Sequence, residues 1–236
     1  MNVAYVADRA HASVDGEADP RAIAAIDVVK DYHTEVGTRR VLDHVNFRVG
    51  AGERLGILGR NGAGKSTLIR LIAGLERPTS GRIHRGLRMS WPLALDGGFD
   101  GDITGYDNIR FISRLYHAPF REVFDYVADF SEIGGQLHMP IRFYSSGMRM
   151  RLAFALSLAM NFECLLIDEV IVVGDARFQQ KCHREIFELR QDRTLIMAVH
   201  NTNIVKEYCT SALVLVGGRG RVFDDVNLAT EIYATL

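Results

Sequence analysis

Apolar and polar positions change their period several times along this chain, and each change marks an element. Residues 23–32 and 40–49 alternate with a period of two around a polar turn near Gly37, which predicts an antiparallel pair of strands. Residues 53–58 read as a short buried strand leading into a glycine-rich loop and a helix over 66–73. Further short strands are expected within 81–91. The period then lengthens to that of a helix over 104–117, 120–132 and 145–160, punctuated by Pro119 and Pro140. From 163 onward strand and helix alternate: strands at 163–168 and 193–200, helices at 176–190 and 201–208. A hairpin of 211–216 with 221–223 closes the series across Gly217 to Gly220. Such alternation implies an α/β fold, a mostly parallel sheet flanked by helices, with a helical insert at about residues 94–160.

Composition narrows the class without naming a function. With 236 residues, 47% hydrophobic and 24% charged, the chain suits one large globular domain, or a domain with a subdomain. A formal net charge of −1 supplies no global basic field for nucleic acid or an anionic membrane. Cys164, Cys182 and Cys209 are odd in number and show no C-x-x-C spacing, which argues against a disulfide framework or a zinc site and fits a reducing compartment. No run approaches the roughly 20 apolar residues of a membrane helix; the apolar stretch at 165–173 is broken by Asp168 and Glu169. Residues 1–21 carry Asp8, Asp15, Glu17 and Asp19 and no basic-then-apolar pattern, so they are expected to be a flexible tail rather than a secretory signal. Residues 22–236 are then the folded domain.

The chemistry is concentrated in four short segments. Residues 59–67 read Gly-Arg-Asn-Gly-Ala-Gly-Lys-Ser-Thr, a complete phosphate-binding loop between a strand and a helix. Gly59, Gly62 and Gly64 let the backbone turn its N–H groups inward, with Asn61 and Thr67 completing the loop. Lys65 brings a point charge to the β- and γ-phosphates, and Ser66 offers a hydroxyl to Mg²⁺. The apolar run Cys164 to Ile167 ends in Asp168 and Glu169. A buried strand carries carboxylates only where its end opens into a site, so Asp168 is the candidate for the Mg²⁺ shell and Glu169 the candidate general base. His200 ends another apolar strand; taken alone it is a structural residue, and beside the other two segments it is placed to meet a γ-phosphate and the attacking water. Tyr144-Ser145-Ser146-Gly147 opens a helix, giving an anion site at a positive dipole end. That site has no use within a chain whose phosphate loop already binds the phosphates. Arg142, Arg149 and Arg151 add charge there, which a solvated helix face explains equally well.

The order of these segments resembles the nucleotide-binding subunit of ABC transporters, over about residues 22–235. The resemblance implies a P-loop NTPase fold of ABC type, with an antiparallel β subdomain and a helical subdomain beside the mostly parallel core sheet. It implies ATP and Mg²⁺ as cofactors, and Tyr32 stacking on adenine. It implies a head-to-tail homodimer in which Ser145, Ser146 and Gly147 of one copy face the ATP of the other, with Asp175 at the dimer contact. An integral membrane permease would be the further partner, with the chain peripheral on the cytoplasmic face of a bacterial inner membrane. Two departures stand out. Tyr144, Ser145, Ser146, Gly147 and Met148 replace the usual Leu-Ser-Gly-Gly-Gln signature, and Leu93 stands where a glutamine is usual, with Asp96 nearby.

The departures are shared within one subfamily. Ser90-Trp91-Pro92, Asp96-Gly97-Gly98-Phe99, Thr104 to Asn108, Arg142 to Met148 and Asp168 to Phe178 together look like the ATP-binding subunit of capsular polysaccharide exporters. O-antigen and teichoic acid exporters share parts of the pattern. The O-antigen relatives often carry a carbohydrate-binding extension, and the end of this chain at Leu236, just after the core, favours the capsule type. Residues 97–116 are the segment expected to dock on the permease. A soluble ABC ATPase acting on nucleic acid or ribosomes fits less well, for want of a basic arm. A non-hydrolysing regulatory subunit is opposed by the intact Lys65, Asp168, Glu169 and His200, and a phosphate-loop kinase would leave Ser145 to Gly147 and His200 without work.

Overall fold

In the computed structural model, residues 20–35, 37–93, 98–168 and 175–236 are described. Most of the expected tail, the start of the helical insert at 94–97, and residues 169–174 with Glu169 lie outside them. The first two strands, β1 (Ala22–Thr34) and β2 (Gly37–Gly50), pair antiparallel, and β4 (Ser80–Arg85) joins the other edge of β1 to give the order β2-β1-β4. A second sheet has the order β5-β6-β3-β7-β8, from β3 (Arg54–Gly59), β5 (Cys164–Asp168), β6 (Thr194–Ala198), β7 (Ser211–Val216) and β8 (Arg219–Phe223). Its pairings are parallel except β7 with β8. Every residue of the central strand β3 is buried, Arg54 included, so past Arg54 it reads as an apolar run rather than an alternating one.

Alternate residues of the central sheet feed two cores, because successive side chains of a strand point to opposite faces. Ile57, Cys164, Leu166, Ile196, Ala198, Leu213 and Leu215 pack with the antiparallel sheet and with Leu68, Ile69, Leu71 and Ile72 of α1 (Lys65–Ile72). Leu58, Leu165, Ile167, Leu195, Met197, Ala212 and Val214 pack against the helical insert and the later helices. The insert comprises α2 (Gly105–Leu115), α3 (Phe120–Ser131) and α4 (Ser146–Ala159), with two short 3₁₀ turns before α4. Helices α5 (Ala176–Phe187), α6 (Thr202–Tyr208) and α7 (Val226–Ala234) complete the chain. Among the described residues no helix is long and apolar enough to cross a membrane.

The α/β architecture, mostly parallel sheet, antiparallel sheet and helical insert are those expected from the sequence, and three local readings change. Of the short strands expected within 81–91, one forms and ends at Arg85; beyond it Met89 and Leu93 make only isolated bridges to Cys164 and Ile167. The last hairpin turns on Gly217 and Gly218 alone, both at positive φ (58° and 83°), with Val216 opposite Arg219, so β8 starts two residues earlier than read. Helix α7 was not anticipated; Asp225 caps it by accepting from the backbone N–H of Asn227 and Leu228.

Candidate nucleotide site

Strand β3 ends at Gly59, and the loop after it delivers the chain to α1 at Lys65. Gly64 holds the N-cap position at φ 107°, a left-handed conformation, and a Cβ there would lie 2.8 Å from Leu42 Cδ2 and 3.1 Å from the Val41 carbonyl oxygen. No side chain caps α1, so its positive end faces the loop. Lys65 is buried, and its ammonium donates to the carbonyl oxygens of Gly59 at 2.8 Å and Arg60 at 3.5 Å. An uncapped helix N-terminus with a lysine folded into the same loop is a donor set that fits phosphate. Asn61 is exposed and Thr67 is buried on α1.

Asp168 reaches the same place from β5. In register, Asp168 lies level with Ala198 of β6, and Ala198 with Ile57 of β3, so adjacent strands end side by side at one edge of the sheet. Ser66 Oγ donates to Asp168 Oδ1 at 3.0 Å. A hydroxyl and a carboxylate in contact are hard oxygen ligands and fit Mg²⁺ sharing its shell with phosphate oxygens. His200 stands exposed two residues past the end of β6 at this edge. The structure thus gathers the phosphate loop, Ser66, Asp168 and His200, which the sequence spreads over more than a hundred residues.

The remaining candidates lie apart from this edge. Ser145 caps α4, its hydroxyl accepting from the Met148 backbone N–H at 3.2 Å, while Ser146 is exposed. Helix α4 packs in the core opposite the one containing α1, so the two helices flank different faces of the central sheet. Tyr144 is buried, donates its hydroxyl to the Gln136 carbonyl at 2.7 Å, and has its pKa raised by that burial. Asp175 caps α5, accepting from Phe178 N–H at 2.9 Å, and its other oxygen is 2.9 Å from an Arg151 guanidinium nitrogen on α4. The Phe178 N–H first, then Arg151, hold the Asp175 carboxyl below the usual range. Arg151 is therefore not a residue of a solvated face: it also reaches Glu132 at 3.5 Å and lies over the Phe178 ring. Nothing in the local sequence signals this, since its partners lie on other elements.

Tyr32 sits on β1 with its hydroxyl donating to Glu76 Oε2 at 2.6 Å and the Lys30 ammonium 4.8 Å from its ring centroid. Leu93 is 1% exposed; its N–H donates to the Leu166 carbonyl at 2.8 Å, and its side chain belongs to the core rather than to the site. Asp96, near Leu93 in the sequence, lies outside the described residues, as does Glu169.

The family model for ABC transporters matches residues 42–172. The chain is 52% identical to the ATP-binding protein BexA of Haemophilus influenzae, over 87% of this chain and 95% of that protein. It is equally 52% identical to the capsule polysaccharide export ATP-binding protein CtrD of Neisseria meningitidis, over 89% and 97%. The dimeric post-hydrolysis structure of the ATP-binding cassette MJ0796, bound to ADP and Pi, superposes with a TM-score of 0.72 over 85% of this chain and 97% of that one, at 19% identity, a likeness of fold. The phosphate loop, the acidic strand end beside it and this kinship place the chain in the ABC transporter family, as an ATP-binding subunit.

Proposed function

We propose that this subunit hydrolyses ATP to drive export of capsular polysaccharide through a separate permease, seated peripherally on the cytoplasmic face of the inner membrane. The observation that carries the chemistry is the contact of Ser66 with Asp168 at the edge where the phosphate loop opens. Lys65 and the N–H groups of the loop and α1 bind the β- and γ-phosphates. Ser66 and Asp168 hold Mg²⁺, which when bound neutralises part of the phosphate charge. Glu169 takes a proton from water as the water oxygen attacks the γ-phosphorus and the bond to the β-phosphate oxygen breaks, leaving ADP; His200 holds the γ-phosphate in line.

The Ser145 to Gly147 segment completes the site of a second copy. Its helix and α1 pack in different layers, so a head-to-tail pair gives it an anion that its own loop does not. Asp175 lies at the contact between copies. The permease docks on the helical insert, where Phe111 and Leu115 of α2 and Phe143 are more than half exposed. The kinship to capsule export proteins over nearly the whole chain supports the transported class.

Vesicles reconstituted with the permease and this subunit test the reading. ATPase activity should require Mg²⁺, rise when the permease is present, and disappear in Lys65→Ala. Turnover that ignores the permease would count against a transport role.

A further inference from the structure

Glu76 gathers several partners beside the phosphate-loop helix. It lies just past the end of α1, where the N–H groups of Leu75 and Glu76 return to the Arg70 carbonyl at 3.0 and 3.4 Å. Its Oε2 accepts from the Tyr32 hydroxyl at 2.6 Å and lies 3.0 Å from the Lys30 ammonium. Its Oε1 is 2.9 Å from Arg70 Nε, an ion pair whose N–H is not aligned on the carboxylate. The cluster is sheltered: the side chains of Lys30 and Glu76 are 13% and 24% exposed. Two further contacts stitch the same segments together, Lys30 to the Arg77 carbonyl at 3.0 Å and the Asp31 N–H to Thr79 Oγ1 at 2.9 Å.

The consequence is geometric. A tyrosine ring held only by its Cβ swings about its side-chain torsions; anchoring its hydroxyl fixes the axis from Cβ to the oxygen, and the Lys30 ammonium over the ring restrains rotation about that axis. The Lys30 ammonium lies over the ring, 4.8 Å from its centroid. Tyr32 stands on β1, whereas Arg70 stands on the helix that begins at the phosphate loop. One carboxylate therefore ties the aromatic platform to the element that holds the phosphates.

We infer that Glu76 is a positioning residue for the base of the nucleotide: by holding the Tyr32 hydroxyl and the Lys30 ammonium against Arg70, it sets the aromatic ring at a fixed place relative to the phosphate loop. This rests on the reading of Tyr32 as the base-stacking residue. Burial alone would raise the Glu76 pKa, but the hydrogen bonds from Tyr32 and Lys30 and the charge of Arg70 outweigh it and hold the carboxyl below its usual range.

Calorimetric titration of the full chain with ATP and, separately, with inorganic tripolyphosphate tests the inference, because tripolyphosphate has no base. Tyr32→Ala should weaken ATP roughly tenfold, the scale of a lost base–aromatic stack, and leave tripolyphosphate unchanged; if ATP binding does not change, the stacking reading of Tyr32 falls and the role of Glu76 falls with it. Glu76→Leu should weaken ATP about three- to tenfold with tripolyphosphate unchanged, and add nothing in the Tyr32→Ala background. Glu76→Gln, which keeps an acceptor for the Tyr32 hydroxyl but loses the charge, should fall between and guards against a misfolded leucine variant. Equal weakening of both ligands would make Glu76 a support of the loop only. No change in Glu76→Leu and Glu76→Gln, with Tyr32→Ala still impaired, would overturn the inference while leaving the stacking reading intact.

Discussion

Gly64 must keep its place because its backbone is at φ 107° and a methyl group there would press on Leu42 and the Val41 carbonyl. Gly64→Ala should cost about 1–3 kcal/mol in stability and lower ATP affinity, both readable by denaturant titration and calorimetry; a stable variant with normal affinity would show that the loop tolerates another conformation. Glu169→Gln should lower turnover by ~10²-fold or more, the scale of a general base, while ATP still binds; unchanged turnover removes Glu169 from that role. The Glu76 carboxyl faces Lys30, Arg70 and the Tyr32 hydroxyl, and its pKa is lowered in the folded chain. A depressed carboxyl pKa contributes stability above the unfolded value, near ~4.3, and that contribution is lost as pH falls through the folded value. Urea midpoints of the native chain and Glu76→Gln should therefore differ at neutral pH and converge in acid. A gap that persists in acid after the carboxyl is fully protonated would assign the effect to shape rather than charge.

At the scale of elements, Arg151 joins α4 to α5 through Asp175 and to the end of α3 through Glu132. Arg151→Met keeps the stem over Phe178 and removes both ion pairs. It should lower stability by only about 1 kcal/mol, since Asp175 is well exposed, in an equilibrium urea titration; a loss several times larger would mean the pair is shielded from water. The central strands could be read as short apolar runs because each face of the sheet feeds its own core, and the helices from their longer period. The unread ones have physical reasons. Gly220 resembles a turn residue, yet it lies within β8, where a Cβ would come 2.9 Å from Leu213 Cδ1, so it is there for space. Helix α7 is short and follows a glycine-rich hairpin; its signal was the Asp225 cap with Leu228 and Ile232 four residues apart. In the site, the phosphate loop and Asp168 were legible because each is a local motif. Glu76 and Arg151 were not, because their roles depend on side chains 44 and 24 residues away that only the fold brings near.

At the scale of the whole molecule, a site open at one sheet edge and a signature helix in the opposite layer describe half of a machine. In the function proposed above, the other half is a second copy and the work is done on a membrane partner. Export is therefore read most directly in the cell. The decisive measurement is to delete the gene in its source organism and locate the long-chain polysaccharide by fractionation and surface labelling. Polymer should accumulate inside the deletion strain, return to the surface with the intact gene, and remain inside with Glu169→Gln. Surface polysaccharide unchanged by the deletion, in a strain with no second exporter, would contradict polysaccharide export and leave an ABC ATPase whose cargo lies elsewhere.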